Sequence, residues 1–315
     1  MMEPLVSILI PTFNYGDYIG ETLTNVLAQS YDKWECIVMD DGSTDETPKI
    51  VHQYSERDRR IRYNRQSNKG LSAARNSAFR LASGKFIQLL DSDDLLSPHK
   101  IERQVALMEN HPEIGISYTD AVYFHHGNPN EYFRNFEYIK DGEFELNDTQ
   151  WIPQVDWTNQ CDLIEYLFTR NIAPVNSMLI NRDVFDRVGG FDESFTLLED
   201  WHFFSVAAVH GVRFSYCGDH DAYAKVRVHT DSMSYKGEKL TWHHMKVLRE
   251  MERNIHRLKL PCSSPTKLIA SRGRLFIKQS GLSSITSFRS LAELIGLGRA
   301  AKLYLKELNA ARKRR

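Results

Sequence analysis

The chain has 315 residues and a mass of 36.5 kDa, and its 42% hydrophobic and 26% charged residues, with only 17 Gly and 10 Pro, exclude a disordered or collagen-like polymer. A net charge of -1 hides a strong polarity: residues 1–235 hold 21 Lys and Arg against 36 Asp and Glu, whereas residues 236–315 hold 19 against 5. Two jobs are implied, the basic segment facing an anionic surface or substrate.

In chain order, Val6–Ile10 is a β-branched apolar run and predicts a buried strand ended by Pro11. Ile19, Leu23, Val26 and Leu27 fall at helical spacing, with Asp17 as the expected N-cap. Cys36–Met39 predicts a second strand, closed by the polar turn Asp40-Asp41-Gly42-Ser43-Thr44-Asp45, and a helix follows from Thr47 to Tyr54. Ile61–Tyr63 predicts a third strand, Gly70–Leu81 a helix and Lys85–Leu90 a fourth strand. Strands and helices alternating at this pitch predict βαβ units and a mostly parallel sheet, with binding residues gathered at the carboxyl ends of the strands. A helix over Pro98–Met108 and a strand over Ile114–Thr119 come next. Residues 123–160 show weak periodicity and predict a variable insert that shapes a pocket. Beyond it the pattern predicts strands at Asn176–Ile180, Val212–Tyr216 and Ala222–Val228, and helices at Asp183–Val188 and Glu199–Val209. From Leu240 the pattern is helical, broken at Pro261, Pro265 and Gly281. Two domains are expected: an α/β domain over 1–235 and a basic helical extension over 236–315.

Four polar constellations follow strands or open a helix: Pro11-Thr12-Phe13-Asn14-Tyr15, Asp40-Asp41, Asp91-Ser92-Asp93-Asp94 and Glu199-Asp200. Each alone is what a solvated turn or the acidic first turn of a helix supplies. Together, in this order, they predict carboxylates converging on one sheet edge, and such a cluster calls for a cation. Oxygen ligands of this kind suit Mg²⁺ or Mn²⁺ bridging to the phosphates of a substrate.

These motifs, with Asn68-Lys69-Gly70-Leu71-Ser72-Ala73-Ala74-Arg75-Asn76 between the second and third, resemble those of the family 2 glycosyltransferases. The likeness covers residues 5–120 and 172–230 and leaves out 123–160 and 240–315. It implies an inverting enzyme with a nucleotide-sugar donor and the GT-A fold, a Rossmann-like, mostly parallel sheet flanked by helices. By the same likeness, Pro11, Thr12 and Asn14 line the nucleoside pocket, and Asp41, or its neighbour Asp40, accepts hydrogen bonds from the base. Asn68, Lys69 and Gly70 form a wall, with Arg75 near the base or the diphosphate. Asp91, followed by Ser92, sits near the ribose and donor sugar, and Asp93 is the metal ligand, with Asp94 easily mistaken for it. Asp200 matches the general base, and Glu199 either shares the chemistry or positions the acceptor. His229, ending Val226-Arg227-Val228-His229, is a second metal ligand by the same likeness, and Arg227 lies near the diphosphate.

Chemistry adds that inversion needs in-line attack by an acceptor hydroxyl whose proton a carboxylate removes. An exposed Asp, with a pKa of about 3.9, is a weak base, so partial burial of Asp200 is expected. The reaction implied is transfer of a hexose from a UDP-sugar to a growing glycan: a surface polysaccharide, a lipopolysaccharide or a lipid-linked oligosaccharide. Two other readings of the motifs are a nucleotidyltransferase and a non-catalytic nucleotide-sugar-binding protein of the same fold. Against the first stands Pro11–Tyr15 where a glycine- and basic-rich loop belongs; against the second stand the intact Asp93 and Asp200.

Elsewhere, Trp151, Trp157 and Tyr132 either stack on an acceptor sugar or pack the core of the insert itself, Asn176 and Ser177 are candidates to face the acceptor, and His125-His126 and His243-His244 to lie on the surface. The segment Ile285–Leu308 mixes Leu and Ile with Arg and Lys and suits either a solvated face or docking on anionic lipid; nucleic acid is not expected as a partner. Cys36, Cys161, Cys217 and Cys262 lack any Cys-x-x-Cys spacing, so free thiols in a reducing compartment are expected. Apolar runs reach about five residues against the ~20 a bilayer span requires, and the first residues carry no secretory pattern. A cytoplasmic enzyme, peripheral at the inner face of the membrane, is the resulting expectation.

Overall fold

A computed structural model describes residues 3–128, 130–140, 143–229, 240–266, 268–271, 273, 291–293 and 295–312. The chain begins with β1 (Val6–Thr12), α1 (Gly16–Leu27), β2 (Trp34–Asp40), α2 (Thr47–Arg57), β3 (Ile61–Arg65), α3 (Leu71–Leu81) and β4 (Phe86–Leu89). Next come β5 (Leu95–Leu96), α4 (Lys100–Asn110), β6 (Ile114–Tyr118), β7 (Asp120–His125), β8 (Tyr132–Phe133), β9 (Asn135–Lys140), β10 (Glu143–Asn147) and α5 (Gln160–Leu167). A 3₁₀ turn at Val175–Ser177 leads into β11 (Met178–Asn181), α6 (Arg182–Val188), α7 (Glu199–Val209), β12 (Arg213–Tyr216) and β13 (Tyr223–Val228), and α8 (Leu240–Arg257) and α9 (Leu297–Arg312) follow. The chain divides into two compact units, Met1–Thr158 with Asn171–Tyr235, and Asn159–Arg170 with Lys236–Arg315.

The first unit is built on a seven-stranded sheet in the order β12-β6-β11-β4-β1-β2-β3. All neighbours are parallel except β11, which runs antiparallel to β4 and β6. Every residue of β1 is buried, as helices on both faces of a parallel sheet demand. Register aligns Thr12 with Asp40 and Asp40 with Arg65, so three polar residues stand in a row where β1, β2 and β3 end. After β3 the chain returns to the far side of β1 to lay down β4, and this reversal opens a crevice at the carboxyl ends. A second sheet, β5-β13-β7-β8, brings the end of β13 beside the loop after β4.

Three expectations are corrected here. Strand β1 runs through Pro11 to Thr12, because β4 pairs with β1 only as far as Leu9, and the missing N–H of Pro11 leaves no partner unsatisfied there. Asp17 does not cap α1: Tyr15 is the N-cap, the Tyr15 N–H donates to Thr47 Oγ1 (3.0 Å) and the Gly16 N–H to Asp45 Oδ2 (2.9 Å). Donors at the helix start are thus satisfied from the loop after β2. The stretch 123–160, expected as a weakly periodic insert, carries regular strand pairing: the end of β7, β8 and the antiparallel hairpin β9–β10 lie in it.

In the second unit α8 buries Met245, Leu248, Met251 and Ile255 on one face, with His243 and His244 also buried rather than on the surface. Their helical positions set them among the apolar residues, and the His244 ring lies 3.2 Å from the Phe168 carbonyl oxygen. Glu252 gathers Arg249, Arg299 Nη1 (3.0 Å) and Thr266 Oγ1 (2.6 Å). Cys161 and Cys262 form a disulfide across 101 positions, which corrects the reading of four free thiols; Cys36 and Cys217 stay reduced and buried. The break at Gly281 and the start of the basic amphipathic stretch at Ile285 lie outside the described residues. Among the described residues no helix is long and apolar enough to cross a membrane.

Candidate active site

The loops after β1 and β2 are laced together. Asn14, in the left-handed region at φ 56°, donates its N–H to Ser43 Oγ (2.8 Å) and accepts the Thr44 N–H on Oδ1 (2.8 Å). Asp40 is wholly buried; its carboxylate accepts the Ser43 N–H (2.7 Å) and the Tyr63 hydroxyl (2.6 Å). Asp41 accepts from Gln66 Nε2 (2.7 Å) and the Lys69 N–H (2.9 Å) on one oxygen and from the Gly70 N–H (2.7 Å) on the other. That clamp folds Asn68–Gly70 against the end of β2, with Gly70 at φ 91°, open to glycine alone. Thr12 Oγ1 is buried beside this loop system with no hydrogen-bond partner among the described residues.

Arg75, buried in α3, spans the crevice. Its Nη1 donates to Glu199 Oε1 (2.6 Å) and its Nη2 to Asp91 Oδ1 (2.7 Å), while the guanidinium lies 5.3 Å from the Phe191 ring. The two carboxylates raise its pKa further, so the charge is permanent. The first turn of α7 is thereby joined to the loop after β4.

That loop carries two acids with different work. Asp94 is buried and tied to the chain: Oδ1 accepts the Arg227 N–H (2.7 Å), Oδ2 accepts from Asn176 Nδ2, and burial holds its carboxyl well above the usual range. Asp93 instead points Oδ2 at His229 Nε2, 2.9 Å away. Burial pushes the Asp93 carboxyl up, with His229 opposing. His229 stacks on Tyr18 at 4.7 Å, edge-on to Tyr15 at 6.1 Å. Ser92 is buried and its carbonyl accepts from Thr22 Oγ1 (3.0 Å). Arg227 is held inside the chain: Nη2 donates to Glu21 Oε2 (2.6 Å) and Nε to the Asp93 carbonyl (2.7 Å). One carboxylate and one imidazole at this spacing are a donor set that fits a divalent ion.

Asp200 is half-buried in the first turn of α7. Its Oδ1 accepts the Trp201 N–H (2.7 Å) and its Oδ2 accepts from Asn171 Nδ2 (2.8 Å). Burial first, and the adjacent Glu199 second, push its carboxyl up to about 7, with Arg75 pulling the other way. The carboxyl therefore exchanges a proton near neutral pH.

Other placements differ from the sequence reading. Asn176 does not face an acceptor: its Oδ1 accepts the Asp91 N–H (2.8 Å) while its amide holds Asp94, and its carbonyl accepts from Gln88 Nε2 (2.9 Å). Gln88 in turn accepts from the buried Lys100 Nζ (2.8 Å), whose ammonium burial holds well below its usual pKa. Only the pairing of β11 with β4 puts Asn176 beside the acidic loop. Trp157 packs on the sheet, donating from Nε1 to the Tyr118 hydroxyl (3.0 Å), rather than standing free for a sugar. Tyr132 is exposed, 6.2 Å from Tyr223. His126, expected as an ordinary surface residue, is exposed yet edge-on to Tyr18 at 5.0 Å and 3.3 Å from Arg227 Nη1. Thr230–Ser234 lie outside the described residues.

The family model described as Glycosyl transferase family 2 matches residues 7–165, just over half of the chain. The putative teichuronic acid biosynthesis glycosyltransferase TuaG of Bacillus subtilis is 43% identical over 107 residues, 34% of this chain and 42% of its own length. WfgD of Escherichia coli, a UDP-Glc:alpha-D-GlcNAc-diphosphoundecaprenol beta-1,3-glucosyltransferase, is 40% identical over 108 residues, again 34% and 42%. The chain thus spans less than half the length of these curated relatives. Among solved structures, S. aureus TarS 1–349 in complex with UDP-GlcNAc superposes with a TM-score of 0.65 at 20% identity, covering 95% of this chain and 83% of that one. The mannosyltransferase PcManGT from Pyrobaculum calidifontis, in complex with GDP-Man and Mn²⁺, gives 0.54 at 19%, covering 99% and 76%. At such identities the likeness concerns the fold.

Proposed function

The chain belongs to glycosyl transferase family 2, and from that premise we propose its reaction: a hexose passes from a UDP-sugar to a hydroxyl of a growing glycan, with inversion at the anomeric carbon and a divalent metal assisting. It is a transferase with the GT-A fold. The observation that carries the proposal is the linkage of Asp200, poised near neutral pH, through Glu199, Arg75 and Asp91 to the loop that presents Asp93 to His229.

In this reading the Asp200 carboxylate takes the proton of the acceptor hydroxyl as that oxygen attacks the anomeric carbon. The bond from that carbon to the diphosphate breaks on the opposite face, and its electron pair leaves with UDP. Glu199 is paired to Arg75 and positions the turn that carries Asp200. Asp93 and His229 are the residues that would hold the metal, which when bound would supply stabilisation of the charge on the leaving diphosphate. Pro11, Thr12, Asn14, Asp41 and the Asn68–Gly70 wall receive the nucleoside, and Asp91 stands toward the ribose and sugar. The printed names of the relatives above, with a diphosphoundecaprenol-linked acceptor for one, support a lipid-linked or surface glycan as acceptor. Helix α9 supports a peripheral place at an anionic leaflet: Lys302 and Lys306 accompany Leu305, which is 59% exposed.

The test is UDP release from UDP-Glc, UDP-Gal, UDP-GlcNAc and UDP-GalNAc with Mn²⁺, with Mg²⁺ and with chelator. At least one donor should release UDP only with metal, and Asp200→Asn should lower turnover by about 10²–10⁴ while keeping UDP binding. Release that persists in chelator overturns the metal, and turnover retained by Asp200→Asn overturns the base.

A further inference from the structure

We infer that Asn171 is a positioning residue for the general base: its side-chain amide fixes the Asp200 carboxylate and holds it in the form that can accept a proton. The inference rests on the reading of Asp200 given above. The geometry leaves Asn171 one orientation. Its Oδ1 accepts the Ile172 N–H at 2.9 Å, so its Nδ2 is the atom turned to Asp200 Oδ2, at 2.8 Å. The Trp201 N–H holds the other oxygen at 2.7 Å. A carboxylate with one chain donor on each oxygen cannot rotate freely, yet retains lone pairs for a hydroxyl proton.

The charge argument gives the amide its second task. Around Asp200 stand Glu199 on its own helix, Asp91 after β4, and Arg75 on α3. Burial and the two acids favour the neutral carboxyl, and Arg75 is shared between Glu199 and Asp91. A side-chain amide donates to a carboxylate without being able to deliver a proton to it, so it favours the charged form alone. Asn171 offsets the acids without adding a charge that would repel a metal or attract a phosphate. A lysine here would do both.

The experiment compares pH profiles of kcat and kcat/KM for wild type, Asn171→Ala, Asn171→Asp and Asn171→Ser, with UDP affinity and melting temperature measured on each. Loss of the amide raises the pKa of Asp200, so the acid limb moves to higher pH and the deficit is deepest in acid. We expect Asn171→Ala to lose about tenfold more activity at pH 6 than at pH 9, with KM for the donor and UDP affinity unchanged. Asn171→Asp should move the limb further in the same direction, and Asn171→Ser, which retains a donor, should recover part of the loss. A uniform loss at every pH with the limb in place, or an unmoved limb with wild-type rate, overturns the inference. Should Asn171→Ala fail to fold, Asn171→Ser and Asn171→Asp decide it by the same limb. Turnover retained by Asp200→Asn would overturn the base itself; Asp200→Asn inactive with an unmoved Asn171→Ala limb would overturn the role of Asn171 alone.

Discussion

Two rims of one crevice use the same residue type in opposite ways. At the ends of β1 and β2, Asp40 and Asp41 accept five hydrogen bonds from the chain, three of them from backbone N–H groups of the loops they gather. At the edge formed by the β4 loop and α7, Asp200 has one donor on each oxygen and an acid beside it, and its carboxyl rises to about 7. Donors drawn from several loops tie Asp40 and Asp41 into the chain; burial and the adjacent Glu199, rather than a lack of donors, raise the Asp200 carboxyl. Within the β4 loop the contrast recurs one residue apart, Asp94 spent on Arg227 and Asn176, Asp93 turned to His229.

The sharpest way to break this comparison is to remove charge from each rim in turn. Asp200→Asn should cost about 10²–10⁴ in kcat, the usual worth of a general base, with the melting temperature and UDP affinity close to wild type. Asp41→Asn should lower stability and donor affinity, because the NH2 that replaces one carboxylate oxygen is set against either the Gly70 N–H or the Gln66 and Lys69 donors. Equal losses of kcat in the two variants, at saturating donor, would erase the distinction.

The pH response sharpens it next. As the proposed base Asp200 would have to be deprotonated to act, so kcat/KM should fall about tenfold per pH unit below about 7. Stability should move the opposite way. A carboxyl near 7 when folded, and near its ordinary 3.8 when not, favours the native state below 3.8, and this contribution is lost as pH rises to about 7. Asp200→Asn should lack that slope, so the difference between the two melting curves, followed from pH 4 to 8, isolates it.

Much of the first rim was legible because its physics is local. Buried parallel strands are unbroken apolar runs, and the polar turns that close them announce the crevice, so β1 to β4 and the acids after them could be read directly. The second rim depends on partners far along the chain. Asn171 and Asn176 belong to no motif; each acquires its role only when β11 pairs with β4 and α7 packs at the same edge. The helix start at Tyr15 was misread for the same reason, its donors being satisfied from Asp45 and Thr47. So was Cys161, whose partner is 101 positions away. His243 and His244 show the converse: local polarity suggests the surface, but their place on α8 buries them.

Gly70 tests the anchored rim by backbone alone. Its φ of 91° lies where side chains are strained, and a Cβ there would touch nothing within 4 Å. Gly70→Ala should therefore cost about 1–3 kcal/mol of stability from conformation and not from a clash. Chemical denaturation checks it, and a loss well below that range would mean the Asp41 clamp tolerates a shifted loop.

The smallest effect is expected at the Asp93–His229 pair. In the proposed reading His229 and Asp93 are the two side chains that would hold the metal, and Asp93 remains when His229 is removed. His229→Ala should weaken Mn²⁺-dependent donor binding by about tenfold, comparable to losing a supporting partner of a metal site. Donor titrations at several Mn²⁺ concentrations separate this from damage to the nucleoside wall, since saturating metal should recover most of the affinity in His229→Ala. If instead the defect is the same at every Mn²⁺ concentration, the stacking of His229 on Tyr18 is what the substitution has removed, and Asp93 would be left as the protein ligand on which the second rim turns.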